Sequence, residues 1–165
     1  MRLVVNATAY GDPLGGAGLR ARHLFGALEG HPIHFLLAED TPGEVVPPGA
    51  TFERLAVRAS SPLRRWLSLD LPDRGDLLFT DHYPVARTPT VITVHDRGGG
   101  PFRRALLRRN VARAAEVVAV SETVRLSLRR GASVVPNGFD PPAEVPPPPL
   151  RDPYLLLCDP GPPHK

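Results

Sequence analysis

Cysteine is nearly missing from this chain: Cys158 is the only one in 165 residues. That excludes an internal disulfide and any cysteine metal cluster. Lysine is as scarce, since Lys165 stands alone and the remaining 19 of the 20 cations are arginine. No run approaches the 18 or so apolar residues of a membrane span. The N-terminus has no charged segment followed by an apolar stretch, so no signal peptide is read and the expected address is the cytoplasm. Aromatic residues make up only 6% and hardly interleave with the arginines. A net charge of +3 with pI near 9.6 thus allows anionic partners without pointing to nucleic acid. What is there is ordinary globular material. Hydrophobic residues at 42% and charged residues at 22% suit one domain with a real core.

The chain is organised around Gly11–Leu28, GDPLGGAGLRARHLFGAL. An apolar run at Leu3–Val5 predicts a buried strand ahead of it. Gly15, Gly16 and Gly18 then precede a helical pattern in which Ala17, Ala21, Leu24, Phe25 and Leu28 share one face, with Gly30 at the C-cap position. Glycines let backbone N–H groups approach a ligand, and a helix N-terminus favours negative charge. Strand, glycine loop and helix therefore fit a phosphate site, and fit equally a tight turn in which the glycines serve only the backbone.

Further strands are expected at Ile33–Ala38, Thr51–Val57, Asp76–Thr80, Thr90–Val94, Val117–Val120 and Ser133–Val135. Helices are expected from the Ser61-Pro62 cap through Leu63, Trp66 and Leu67, over Phe102–Ala114, and over Ser121–Arg130. This alternation predicts an α/β, Rossmann-like three-layer sandwich on a mainly parallel sheet of about seven strands. Ligands of such sheets bind at the carboxyl ends of the strands. The residues there are the glycine loop, Asp81-His82-Tyr83, His95-Asp96, Ser121-Glu122 and Pro136-Asn137-Gly138. The proline run Pro141–Pro149 is stiff and extended. Tyr154–Cys158 beyond it reads as a fresh strand with nothing left to pair with. The expected organisation is a domain over 1–140, a linker over 141–150, and the first strand and loop of a second domain over 151–165.

Five passages in order resemble the N-terminal domain of the retaining GT-B glycosyltransferases of family 4, the group-1, mannosyltransferase-like enzymes. GGAGLRARHLFGAL is similar to their glycine loop and first helix, and DLLFTDHYPVARTPTVITVHD to a strand, loop, strand and His-Asp passage. ARAAEVVAVSETVRLSL, with Glu116 where aspartate is usual, VVPNGFD and YLLLCDPGPPHK follow. The resemblance implies transfer of a sugar from a UDP- or GDP-sugar to a sugar or lipid-linked acceptor, with retention and without a metal or other cofactor, across a cleft between two Rossmann-like domains. It implies that His95 contacts the donor sugar and stabilises the reacting centre. Gly15, Gly16 and Gly18 would present backbone donors to the diphosphate, and Lys165 would offset its charge. His82, Tyr83, Asp96, Ser121, Asn137 and Gly138 would line the acceptor side. One half of a cleft does not catalyse by closure, so the chain alone is expected to be inactive.

Each site reading has a plainer rival. His95-Asp96 can close a turn, His82 and Tyr83 can be loop surface, Ser121 fits an N-cap, and Asn137-Gly138 fits a turn. Arg103, Arg104, Arg108, Arg109 and Arg113 make one helix basic, either as a solvated face or as contact with anionic lipid at the inner face of a membrane. A rival enzyme class also fits locally. Gly16–Ala21 matches G-x-G-x-x-A, and Glu39 lies 21 residues past Gly18, as in nicotinamide or flavin oxidoreductases. Against it, nine residues separate Val5 from Gly15, too many for that turn. A non-catalytic binding module is the remaining alternative.

Overall fold

The computed structural model describes residues 1–10, 16–28, 30–58, 75–81, 87–96 and 99–136. Seven strands form one sheet: β1 (Leu3–Asn6), β2 (Ile33–Ala38), β3 (Thr51–Leu55), β4 (Leu77–Asp81), β5 (Thr90–Val94), β6 (Glu116–Ala119) and β7 (Ser133–Val134). Every pairing is parallel, in the order β3-β2-β1-β4-β5-β6-β7. Among the described residues the helices are α1 (Gly16–Gly26), α2 (Gly100–Arg113) and the short α3 (Glu122–Ser127), with a 3-10 turn at Gly43–Val45. This is the α/β, Rossmann-like sandwich that the sequence predicts.

The order of strands follows from burial. β1 and β2 are buried along their whole length and β4 and β5 at all but one residue each, as parallel strands covered on both faces are. β3 and β7, at the two edges, are mostly exposed. Side chains alternate between two cores. Leu3, Val5, Phe35, Leu37 and Phe79 turn to α1, where Ala21 and Phe25 meet them. Phe25 stands edge-on to Phe35 and Phe79, with ring centroids 5.6 and 5.0 Å away. At the other end of the sheet, Ile92, Val94, Val117 and Ala119 pack under Leu107 and Val111 of α2 and Val124 of α3. Register places Val91 and Thr93 in the row of Phe79 and Asp81, on the α1 side, so Ile92 and Val94 face the opposite way. Helices therefore cover both faces of the sheet.

The structure corrects several expected boundaries. α1 ends at Gly26, one turn before the expected end, with Ala27 N–H closing on the His23 carbonyl at 3.2 Å and Leu28 N–H on that of Phe25 at 3.3 Å. Leu24, inside the helix, and Leu28, beyond it, are exposed at 40% and 39%, and Ala21 and Phe25 carry the buried stripe. Gly30, with φ +75°, serves the turn into β2 and not a helix cap. β3 ends at Leu55, because Val57 folds back onto the Leu55 carbonyl at 2.7 Å. α3 stops at Ser127, where Leu128 becomes extended and its N–H closes on the Arg125 carbonyl at 3.1 Å. The helix expected after Ser61-Pro62, the linker and the strand at Tyr154–Cys158 lie outside the described residues.

Candidate functional site

The chain leaves β1 for β2 on one side and later returns to place β4 on the other, so the sheet's direction of build reverses between β1 and β4. At such a switch point the loops after adjacent strands splay apart and leave a crevice at the carboxyl ends. Four side chains meet there. Asp81 ends β4, His95 directly follows β5, Tyr10 follows β1, and Arg20 comes from the second turn of α1.

Asp81 is the hub. It is only 6% exposed, and its Oδ2 accepts the Tyr10 hydroxyl at 2.8 Å. Its Oδ1 receives Arg20 Nη1 and His95 Nε2, each at 3.2 Å. Arg20 also lies over the Phe79 ring, 5.9 Å from its centroid, which holds the guanidinium on this face of the sheet. A carboxylate so placed has opposed influences on its titration. Burial raises its pKa, but the His95 hydrogen bond, the charges of His95 and Arg20, and the Tyr10 hydroxyl outweigh burial. The net result lies below the ordinary value of 3.8, so Asp81 is ionised at neutral pH.

Hydroxyl and amide groups underlie this cluster. On the opposite face Asn6 Nδ2 donates to Thr80 Oγ1 at 3.4 Å, and Thr8 Oγ1 donates to Asn6 Oδ1 at 2.8 Å. Thr93, paired in register with Asp81, is fully buried, and its Oγ1 has no hydrogen-bond partner among the described residues. The cluster thus offers a fixed anion, a guanidinium and a half-exposed imidazole at one strand-end crevice. Together these can orient a polar ligand and exchange a proton with it.

Of the residues singled out by sequence, Gly16 opens α1 and Gly18 is buried in its first turn. Their N–H groups are among those a helix start leaves without an internal partner. His95 joins the same face through Arg20, 3.2 Å from Nε2. Asp96 follows it and is exposed. Ser121 is extended, and its Oγ accepts the Val124 N–H at 3.2 Å, so the hydroxyl caps α3. Gly15, His82, Tyr83, Asn137, Gly138 and Lys165 lie outside the described residues.

Sequence reasoning placed Asp81 at the ligand-facing strand ends without giving it a role, and did not single out Tyr10 or Arg20. Asp81 alone carried a signal, as a carboxylate at a strand end. Arg20 and Tyr10 lie in a helical pattern and a loop that give no hint of what they face. Arg103, Arg104, Arg108, Arg109 and Arg113 are all exposed along α2. Among the described residues no helix is long and apolar enough to cross a membrane.

Comparison with known proteins agrees with this architecture. No curated protein matches the chain. The sequence profile of Glycosyltransferase Family 4 matches residues 15–142, which span α1, the cluster residues Arg20, Asp81 and His95, and the sheet from β2 to β7. With more than three quarters of its length matched, and a Rossmann-like sheet carrying a polar crevice at its switch point, the chain belongs to Glycosyltransferase Family 4.

Proposed function

We propose that this domain forms the acceptor-side wall of a retaining GT-B glycosyltransferase that takes its sugar from a UDP- or GDP-sugar. The observation that carries this reading is the convergence of His95, Asp81 and Arg20 beside the N-terminus of α1 in a chain of this family. In the proposed reaction a nucleoside diphosphate leaves the anomeric carbon of the donor sugar, the acceptor hydroxyl oxygen bonds to that carbon from the same face, and the hydroxyl proton passes to the departing phosphate oxygen. Negative charge then builds on the departing phosphate. Backbone N–H groups of Gly15, Gly16 and Gly18 would meet that charge, with Lys165 from the far side of the cleft. His95 would contact the sugar. The second domain, begun by residues 151–165, would hold the nucleotide, with 141–150 as the linker. The basic face of α2 would rest on anionic lipid when the acceptor is lipid-linked.

The test is a thermal-shift titration of this chain, and of a protein carrying both domains, with UDP, GDP, NAD and NADP. A ligand that binds only the folded state raises the melting temperature by mass action. UDP or GDP should stabilise the two-domain protein and leave the 165-residue chain nearly unchanged. Stabilisation of the chain by NAD or NADP would overturn the reading in favour of a dinucleotide enzyme. Sugar transfer by the two-domain protein should fall at least ~100-fold on His95→Ala, as for loss of a transition-state contact.

A further inference from the structure

His95 Nε2 lies 3.2 Å from Asp81 Oδ1 and 3.2 Å from Arg20 Nη1, while those two groups lie 3.2 Å from each other. One ring nitrogen cannot serve both neighbours. With a proton on Nε2 it donates to the carboxylate, and with a lone pair there it accepts from the guanidinium. Arg20 always donates, so the two neighbours demand opposite tautomers of the neutral ring. The contest is decided by charge. Asp81 is buried, ionised and anchored on its other oxygen by the Tyr10 hydroxyl at 2.8 Å. Either bond has one ionised partner, but a lone pair on Nε2 would face the Oδ1 anion at 3.2 Å with no proton between them. Arg20 loses nothing when Nε2 turns away, because it keeps Oδ1 itself.

We propose that Asp81 is a positioning residue that fixes His95 as the Nε2–H tautomer, with Tyr10 and Arg20 holding the carboxylate in place. The lone pair of the neutral ring is thereby confined to Nδ1. Asp81 itself touches no substrate. It acts through the ring, as a second partner fixes a working histidine in many sites. The value of this arrangement to sugar transfer rests on the glycosyltransferase reading, whereas the tautomer is a property of the chain by itself.

The experiment is NMR of the ring nitrogens and their protons in 15N-labelled chain, with the His95 signals assigned by their loss in His95→Gln. In the native chain the neutral ring should carry its proton on Nε2. That proton should resonate downfield of an exposed histidine and exchange slowly with water. In Asp81→Ala the nitrogen shifts should interchange toward the Nδ1–H form, because Arg20 still donates toward Nε2 while the carboxylate no longer accepts from it. The double variant Asp81→Ala, Arg20→Met should lose that preference. Tyr10→Phe keeps the buried ring and covers the case in which Asp81→Ala does not fold. Freed of one donor, the carboxylate becomes a stronger acceptor, and the Nε2 proton should move further downfield.

A native ring protonated at Nδ1 would overturn the proposal. So would a folded Asp81→Ala with unchanged nitrogen shifts, or a Tyr10→Phe with an unmoved Nε2 proton. The two readings fail separately. Unchanged sugar transfer by His95→Ala would sink the function and leave the tautomer standing. A wrong tautomer with that loss intact would sink only the role of Asp81.

Discussion

At the scale of single residues, Asp81 gives the chain an acid-sensitive point. Its folded pKa is lowered, so the unfolded chain takes up the proton first as pH falls. The stabilisation it contributes is complete above its unfolded value of about 3.9 and is lost as pH falls through the folded value. Urea denaturation midpoints should therefore drop below about pH 4, and Asp81→Asn should lose part of that dependence while starting from a lower midpoint. Gly75 is constrained for a different reason. A Cβ there would sit 2.5 Å from Val4 Cγ2 on β1, the strand that β4 must join, and 3.0 Å from the carbonyl oxygen of Arg2 just before it. Gly75→Ala should cost about 1–3 kcal/mol, measured by urea unfolding, because the strand has no room to retreat. A cost near zero would mean that the entry to β4 moves freely.

At the scale of elements, the C-terminus of α2 is closed by a side chain from beyond α3. Arg130 Nη1 donates to the carbonyls of Val111 at 2.9 Å and Ala114 at 2.7 Å, and Nη2 reaches Ala115 at 3.3 Å. The Val111 carbonyl is one that the helix end leaves unpaired, Ala114 is the C-cap and Ala115 follows it, and a cation there also complements the helix dipole. Arg130→Ala should cost about 1.5 kcal/mol, with Arg130→Lys recovering only part of it, because one ammonium cannot span that fork. Equal melting of the alanine and lysine variants would show that the geometry of the fork is idle. At the other end of the same unit, Ser121→Ala removes the cap of α3 and should cost about 1 kcal/mol. Both effects belong to the element boundary. They should leave nucleotide-dependent shifts of the two-domain protein unchanged.

At the scale of the whole molecule, charge and topology divide the labour. The carboxyl ends of β1, β4 and β5 hold the polar crevice, while the arginines of α2 form a separate exposed face. If that face meets anionic lipid, the chain should co-sediment with phosphatidylglycerol vesicles and not with phosphatidylcholine vesicles. Binding should weaken with added salt, as the Debye length falls from about 10 Å at 0.1 M. Replacing Arg103, Arg104 and Arg108 by glutamine should abolish it. Persistence of binding after that replacement would reduce the helix to a solvated face.

Much of the fold was legible because burial on both faces of a parallel sheet writes itself as short β-branched runs, and Thr90–Val94 and Ile33–Ala38 have the predicted bounds. Helix ends were less legible. Whether Leu24 and Leu28 are covered depends on what packs beside them, and the periodicity of α1 does not record that. His95 could be picked out because it follows a strand directly. Of its partners only Asp81 showed, as a strand-end carboxylate; Tyr10 and Arg20 lie 85 and 75 residues away along the chain and did not. The sequence by itself determined an α/β chain with a glycine loop, a strand-end histidine and membership of a glycosyltransferase family. Only the tertiary structure decided which groups surround that histidine. Local pattern reports which way a side chain points, but the reversal of strand order between β1 and β4 brings distant strand ends together.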